Sequence, residues 1–235
     1  MYMSRSGAAA LDNPMWNALI GPHRALARGA GGVRWYPHTV APFIAIESVD
    51  TLPDLNAALA QGFSDPAYFT GVLPPSLTDG WRFVSRSNVL QMVPSGDDLP
   101  QSRDDDIRVL GGADRHGMLA LTRVAFPDYF RERTAELGVY LGVFSGNELV
   151  AMAGERLALE GMQEISGVCT HPDHVGRGHA RRLTYALMRR HKERGVGSFL
   201  HVSEGNLAAR RLYESMGFVV RASLPLAKIA QETAF

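Results

Sequence analysis

The sequence predicts an α/β protein, because segments with strand character alternate with segments that have the periodicity of amphipathic helices. The clearest helix spans residues 178–194, where mostly apolar side chains recur every three or four positions. The clearest strand, Met162–Thr170, comes directly before it. A length of 235 residues allows one large domain or two small ones, and it is long enough to bury a sizeable core.

The first half of the chain, residues 1–104, is predicted to form a smaller α/β domain to which no motif assigns a role. A helix is expected from Pro14, with Asp12 or Asn13 as its cap. A second helix is expected from Thr51 to about residue 61. The segments with strand character are residues 33–36, 43–47 and 81–93.

A polar, acidic stretch at residues 94–106, interrupted by proline and glycine, predicts a linker or long loop before a second domain, residues 105–235. In that domain the predicted order of elements is β-α-α-β-β-β-α-β-α-β. Besides the two elements named above, it consists of a strand at 107–110, helices at 113–125 and 127–136, hairpin strands at 139–144 and 149–159, a strand at 198–203, a helix capped by Asn206 and a strand at 218–227.

Charge and cysteine content exclude several classes of function. The chain has 24 basic and 24 acidic residues, which removes the electrostatic argument for nucleic acid or an anionic membrane as the main partner. The single cysteine, Cys169, permits no intramolecular disulfide and suits a reducing compartment. The N-terminus lacks a signal-peptide core, and no apolar run approaches the ~20 residues that span a bilayer. We therefore expect a cytoplasmic protein, whose oligomeric state stays open.

The junction between the strand 162–170 and the helix 178–194 has the features of a phosphate site. The sequence from Val168 to Ala180 is V-C-T-H-P-D-H-V-G-R-G-H-A. Free backbone N–H groups and the positive end of a helix meet there, which suits a pyrophosphate. The segment is not a Walker A loop, and Arg181 stands where a dinucleotide fingerprint has its third glycine. A structural strand-to-helix turn is the alternative.

A second motif, N-L-A-A-R-R-L-Y-E-S-M-G-F, begins at Asn206. The two motifs together resemble the GNAT superfamily of acyl-CoA-dependent N-acetyltransferases. The pyrophosphate loop of that family, Q/R-x-x-G-x-G/A, is matched at Gly178 and Ala180, whereas Val175 replaces the leading Gln or Arg. The N-x-x-A-x-x-x-Y-x-x-x-G-F element of the family is matched at Asn206, Ala209, Tyr213, Gly217 and Phe218.

The resemblance covers about the last 130 residues and the order of their elements. It implies a mixed, mostly antiparallel central sheet flanked by helices, preceded by a smaller α/β domain that could be a degenerate copy of the same fold. It also implies acetyl-CoA as co-substrate, no metal, and a small-molecule or peptide amine as acceptor.

The resemblance further implies which residues hold the cofactor. Backbone groups of Val168 and Thr170 would pair with the pantetheine arm, and the N–H groups of residues 176–180 would hold the pyrophosphate. Arg177, Arg181 and Arg182 would neutralise further phosphate charge, or else form a solvated helix face. The predicted cofactor-binding set is Val168, Cys169, Thr170, Val175, Gly176, Arg177, Gly178, His179, Ala180, Arg181, Asn206 and Ala209.

Acyl transfer to an amine requires loss of an amine proton, a donor for the oxyanion and an acid near the departing thiolate. The resemblance implies Glu164 as the base, directly or through a water, and Tyr213 as the acid. A surface carboxylate or structural ion pair is the alternative for Glu164, and core packing is the alternative for Tyr213.

Other reactive side chains near the loop are expected to be structural. Cys169 is expected to be a small buried hydrophobe rather than a nucleophile. The histidines and aspartate of the loop, at positions 171, 173, 174 and 179, lie in one tight turn without a second group of ligands, which argues against a metal. The resemblance implies that the predicted helix 127–136, with Tyr129, Phe130 and the preceding Phe126, shapes the acceptor pocket, and core packing is the alternative for each aromatic.

The sequence therefore predicts an N-acetyltransferase that moves an acetyl group from acetyl-CoA to a primary amine by direct transfer in a ternary complex. The alternative from another class is a non-catalytic acyl-CoA-binding sensor or a structural module with the same cleft. A longer acyl donor or an O-linked acceptor also stays open.

Overall fold

A central β-sheet organises the fold in the computed structural model, which describes residues 9–60, 66–96, 98–100, 104–126 and 129–232. The strands are β1 (Val33–Trp35), β2 (Ile44–Ile46), β3 (Ala67–Thr70), β4 (Trp81–Pro94), β5 (Ile107–Val109), β6 (Tyr140–Ser145), β7 (Glu148–Leu159), β8 (Met162–Thr170), β9 (Gly197–Ser203) and β10 (Phe218–Gln231). The helices are α1 (Pro14–Ile20), α2 (Leu52–Ala60), α3 (Arg115–Ala125), α4 (His179–Glu193) and α5 (Leu207–Glu214).

Eight of these strands form one sheet in the order β3-β10-β4-β9-β8-β7-β6-β5. Strands β8 and β9 are parallel, and the other neighbouring pairs are antiparallel. The predicted α/β fold with a mostly antiparallel central sheet flanked by helices is therefore confirmed. Strands β1 and β2 form a separate two-stranded sheet.

The central sheet contains strands from both sides of the domain boundary that was predicted between residues 104 and 105. Strand β4 lies between β9 and β10, with Gln91 opposite His201, and β3 pairs with the outer side of β10. The first half of the chain thus supplies an interior strand, which the local sequence pattern of residues 81–93 could not indicate. Strand β3 was not predicted.

Different helices cover the two faces of the sheet. On one, the α4 face, Leu183 and Leu187 of α4 share a buried cluster with Ile165 and Leu200. On the other, the α1 face, Phe199 of β9 lies in the cluster that contains residues of α1. Helix α5 also covers the α4 face, and α3 packs on the α1 face. Because side chains alternate along a strand, Glu164 and His201 lie on the α1 face.

Local sequence signals predicted most helix ends. Helix α5 is capped by Asn206, whose Oδ1 accepts a hydrogen bond from the backbone N–H of Ala209 at 3.1 Å. Helix α1 begins at Pro14, but Asn13 does not cap it with its side chain. The Asn13 amide instead donates to the carbonyl of Ile46 at 2.8 Å, so a tertiary contact replaces the expected cap.

The predicted helix 127–136 is wrong in its described part. Residues 127 and 128 lie outside the described residues, and the segment after them contains a 3₁₀ turn, Thr134–Leu137. The Thr134 hydroxyl accepts from the Arg131 N–H at 2.7 Å and donates to the Val40 carbonyl at 2.6 Å. These side-chain bonds offer the backbone an alternative to a regular helix.

The C-terminal end of the predicted linker forms ion pairs with α4. Asp104 forms an ion pair with Arg189, and Asp106 forms one with Arg182. Residues 97 and 101–103 of this segment lie outside the described residues. Asp104 and Asp106 are therefore partners of α4 arginines rather than only parts of a solvated connector.

Candidate active site

The central sheet opens between β8 and β9. The two strands pair from Met162 and Gly197 to Ile165 and Leu200, and no further. Both strands continue beyond that point, β8 to Thr170 and β9 to Ser203. Their ends therefore diverge and leave a gap in the sheet, which we call the β8/β9 cleft.

The free backbone groups of β8 face this cleft. The N–H of His171 donates to the Val150 carbonyl of β7 at 2.8 Å. Because alternate residues of a strand direct their N–H and C=O groups to opposite sides, Thr170 and Val168 direct theirs away from β7. These are the two residues for which the sequence predicts backbone contacts to a pantetheine arm.

The loop after β8 has a shape that only its glycines allow. Gly176 and Gly178 have φ values of +77° and +78°, in the left-handed region that other residues rarely adopt. A Cβ atom at either position would meet nothing within 4 Å. The space beside both glycines is therefore open, and α4 begins directly afterwards at His179.

Unpaired donors converge at this loop. In the described chain, the first helical N–H with a backbone acceptor is that of Arg182, bonded to the Gly178 carbonyl at 3.1 Å. The N–H groups of residues 176–181 have no backbone acceptor among the described residues, as expected for the start of a helix. The Nδ1 atom of His179 is also buried without a partner there. This is the arrangement of an anion site.

The charged side chains of the loop have protein partners of their own. Arg177 donates to the Asp173 carbonyl at 3.2 Å, and Arg181 donates to the Ser215 hydroxyl at 2.7 Å. Burial and the nearby Arg182 charge lower the pKa of His179, so its imidazole is neutral at neutral pH. Val175, where the sequence departs from the family pattern, is 63% exposed.

Tyr213 and Ala209 of α5 lie on the α4 face. Tyr213 is buried, and its ring centroid lies 5.9 Å from that of Phe218. Burial raises the pKa of Tyr213 to about 12, so the phenol is protonated at neutral pH. Its hydroxyl makes no hydrogen bond to the described part of the chain. The ring is thus a core residue whose hydroxyl is available as a donor.

Glu164 lies fully buried on the α1 face, within an ion pair. Its carboxylate accepts two hydrogen bonds from Arg156, at 2.8 Å from Nε and 2.6 Å from Nη2. It also accepts from the Leu157 N–H at 3.2 Å and lies 2.8 Å from Nδ1 of His201. Burial alone would raise the pKa of Glu164, but the Arg156 charge and these hydrogen bonds outweigh it and lower the pKa to about 2.

The contacts of Gln91 define the tautomer of His201. Arg221 can only donate, so the oxygen of the Gln91 amide is the atom 2.9 Å from its guanidinium. The Gln91 nitrogen then donates to the Leu11 carbonyl at 2.9 Å and to Nε2 of His201 at 3.1 Å. Nε2 is therefore an acceptor, and Nδ1 carries the proton that His201 donates to Glu164.

Sequence reasoning missed this network because its members are on five strands. Arg156, His201 and Gln91 come from β7, β9 and β4. Gln91 and His201 each lie between two buried apolar residues of their strand. That local pattern could have singled out these two residues, but it does not indicate which partner each of them finds.

The remaining reactive side chains carry no site of their own. Burial raises the pKa of the Cys169 thiol to about 12, which keeps it protonated and unreactive at neutral pH. Within the described ranges, no group of three or more His, Cys, Asp or Glu residues is placed to hold a metal ion. No described helix has the length and apolar character to cross a membrane.

Comparison with known proteins adds to this geometry. A family model described as "FR47-like protein" matches residues 140–224, which include both motifs. A solved GNAT-family protein from Novosphingobium aromaticivorans is 33% identical, with a TM-score of 0.85 over 95% of this chain and 99% of that chain. A GCN5-related N-acetyltransferase from Kribbella flavida has a TM-score of 0.65 at 17% identity, over 98% of each chain. Comparison with curated proteins gave no match.

Proposed function

Because the chain belongs to the GNAT family of acyltransferases, we propose that it transfers an acetyl group from acetyl-CoA to a primary amine. The transfer is direct, within a ternary complex of the protein, acetyl-CoA and the amine. The observation that carries the proposal is the β8/β9 cleft, which ends at the unpaired N–H groups of residues 176–181.

The residues of the loop fit the pyrophosphate of acetyl-CoA. The open space beside Gly176 and Gly178 admits a ligand close to the backbone, and the unpaired N–H groups supply donors there. The orphaned Nδ1 of His179 gains a partner in the same place. When bound, acetyl-CoA supplies an activated acetyl group, and the backbone of Val168 and Thr170 holds the arm that carries it.

Tyr213 supports departure of the thiolate by donating a hydrogen bond. A phenol with a pKa of about 12 keeps its proton against a thiolate whose thiol has an ordinary pKa near ~8.5. The hydroxyl therefore stabilises negative charge on sulfur while the thiol proton arrives from solvent. Its lack of a partner among the described residues leaves it free for this contact.

Glu164 contributes differently from the expectation based on the sequence. A carboxylate with a pKa of about 2 is a weak proton acceptor at neutral pH, and Arg156 occupies both of its oxygens. A base role would require Arg156 to release it first. We infer that Glu164 is a positioning residue, which holds Arg156 and one tautomer of His201 beside the cleft.

The proposed function is tested by two measurements on the wild-type protein. Acetyl-CoA at about 100 times its dissociation constant is expected to stabilise the fold by roughly 2.7 kcal/mol, visible as a higher Tm. A panel of small amines, amino acids and peptides, assayed for CoA release, then identifies the acceptor class. Stabilisation without release for any amine would favour the sensor, and no stabilisation at millimolar acetyl-CoA would overturn the cofactor assignment.

Replacing Tyr213 with Phe is expected to lower kcat by about 10–100-fold, since one donor to the leaving group is lost. The dissociation constant for acetyl-CoA and the Tm should change little, because the hydroxyl has no partner among the described residues. Tyr185→Phe, on α4 against the same cluster, is the matched control and should keep wild-type turnover. Equal kcat values for Tyr213→Phe and the wild type would remove Tyr213 from the mechanism.

A further inference from the structure

The ring of Tyr140 extends across β7 and reaches β8. Tyr140, the first residue of β6, pairs with Gly154, which in turn pairs with Ser166 of β8. A Cβ atom on Gly154 would lie 2.2 Å from the ring. A Cβ atom on Gly167 would lie 3.2 Å from Cε1 and 3.7 Å from the hydroxyl oxygen. The two glycines thus make room for the ring and bring its hydroxyl end over Gly167.

Gly167 marks the closed end of the β8/β9 cleft. It lies two residues beyond Ile165, the last residue of β8 that pairs with β9. Gly167 has a φ of +61°, and the register of β8 against β7 shifts between Ser166 and Cys169. This β-bulge changes the direction of β8 at the point where β8 separates from β9. The Tyr140 hydroxyl is therefore directed to the point where the cleft begins.

Tyr140 is 2% exposed, and its hydroxyl has no hydrogen-bond partner in the described part of the chain. The hydroxyl oxygen is not one of the described polar atoms that are fully buried without a partner, so it keeps a small accessible surface. Buried tyrosine hydroxyls normally have a partner. Tyr36, which is equally buried, has its hydroxyl 2.7 Å from Nδ1 of His23. Burial raises the pKa of Tyr140, against the nearby Arg156 charge, so its hydroxyl is a protonated donor at neutral pH.

Core packing alone does not account for a tyrosine here. The ring packs edge-on against Phe130, with centroids 5.6 Å apart. A phenylalanine would make the same contact, so the packing does not require the hydroxyl. The hydroxyl lies at the end of the ring that reaches Gly167, where a ligand in the cleft can contact it.

We propose that Tyr140 is a further catalytic residue, whose hydroxyl donates a hydrogen bond to the carbonyl oxygen of the acetyl group. This inference rests on the proposed function. The amine nitrogen forms a bond to the carbonyl carbon while the carbon–sulfur bond breaks, the amine loses one proton and the thiolate gains one. Negative charge develops on the carbonyl oxygen during this exchange, and Tyr140 stabilises it without giving up its own proton.

Tyr140→Phe is expected to lower kcat by at least about tenfold while leaving the Tm unchanged or raised, because an unpartnered hydroxyl is removed. The ratio of the dissociation constants of CoA and acetyl-CoA, measured by calorimetry, should fall by about fivefold, since only acetyl-CoA carries the carbonyl. The matched control is Tyr36→Phe, which removes a hydroxyl with a protein partner. It should lower the Tm and leave that ratio unchanged.

The outcomes separate this inference from the proposed function. If the wild type is active and Tyr140→Phe has the same kcat and the same binding ratio as the wild type, the role of Tyr140 is overturned and the proposed function stands. A Tm loss as large as that of Tyr36→Phe would show that the hydroxyl has a protein partner, which also overturns it. If the wild type releases no CoA, the function fails, and a shifted binding ratio still supports the contact to the acetyl group.

Discussion

Replacing Arg156 with Met is expected to destabilise the protein by about 3–5 kcal/mol and to reverse the response of its stability to pH. The variant leaves the Glu164 carboxylate fully buried without its main partner. Burial, the largest influence on the pKa of Glu164, is then opposed only by the Leu157 N–H and His201. We therefore expect the pKa of Glu164 in the variant to lie above its ordinary value.

The sign of the pH response follows from these shifts. In the wild type the pKa of Glu164 is lowered to about 2, so its stabilisation is present above the unfolded-state pKa, ~4.3. That stabilisation is lost as the pH falls towards 2. In the variant the raised pKa favours the protonated folded state, so stability is greatest at low pH and is lost as the pH rises through the new value.

Urea unfolding at pH 5 and pH 8 measures both effects. The difference between wild type and variant should be smaller at pH 5 than at pH 8. Arg133→Met is the matched control, since Arg133 makes the same two-point contact with Glu136, at 2.8 and 2.7 Å, on an exposed surface. It should cost far less stability than Arg156→Met, because an exposed ion pair contributes little. An equal loss at both pH values for Arg156→Met would contradict the buried ion pair.

Replacing Gly178 with Asp is expected to weaken acetyl-CoA binding at least about 100-fold. The new carboxylate would enter the open space in which the pyrophosphate is proposed to bind. Two unit charges a few ångströms apart near a protein surface repel by roughly 4 kcal/mol, which exceeds the energy of a 100-fold change. A non-glycine residue at a φ of +78° should cost the fold about 1–2 kcal/mol in backbone strain, which the favourable position of an acidic residue at the start of α4 offsets in part.

Two control variants test whether the loss of acetyl-CoA affinity depends on the charge and on the position of the new residue. Gly178→Asn makes the same backbone change without the charge and should retain most of the affinity. Gly195→Asp is matched in backbone, because Gly195 has a φ of +70° and open surroundings at the other end of α4. It should lower stability, since the acid lies at the negative end of the helix, and leave affinity unchanged. Equal affinity of Gly178→Asp and wild type would exclude the loop as the pyrophosphate site.

Local patterns explain which parts of the fold were predictable. Residues 162–170 match β8 at both ends, and the predicted helix 178–194 exceeds α4 by one residue on each side. The patterns that predicted this strand and this helix depend only on residues that are close to one another in sequence. The helix predicted at 127–136 failed because Thr134 bonds to Val40, a residue 94 positions away. No local pattern carries such information.

The candidate site likewise has one part that the sequence predicted and another part that only the structure revealed. The sequence by itself determined the loop, because the positive φ of Gly176 and Gly178 and the free N–H groups of a helix start are properties of consecutive residues. Only the tertiary structure decided the surroundings of Glu164, because Arg156 and His201 approach its buried carboxylate from neighbouring strands. It also decided the place of Tyr140, whose ring extends from β6 across β7 to β8. Hydrogen bonding and burial between strands depend on register and topology, which residues distant in sequence set together.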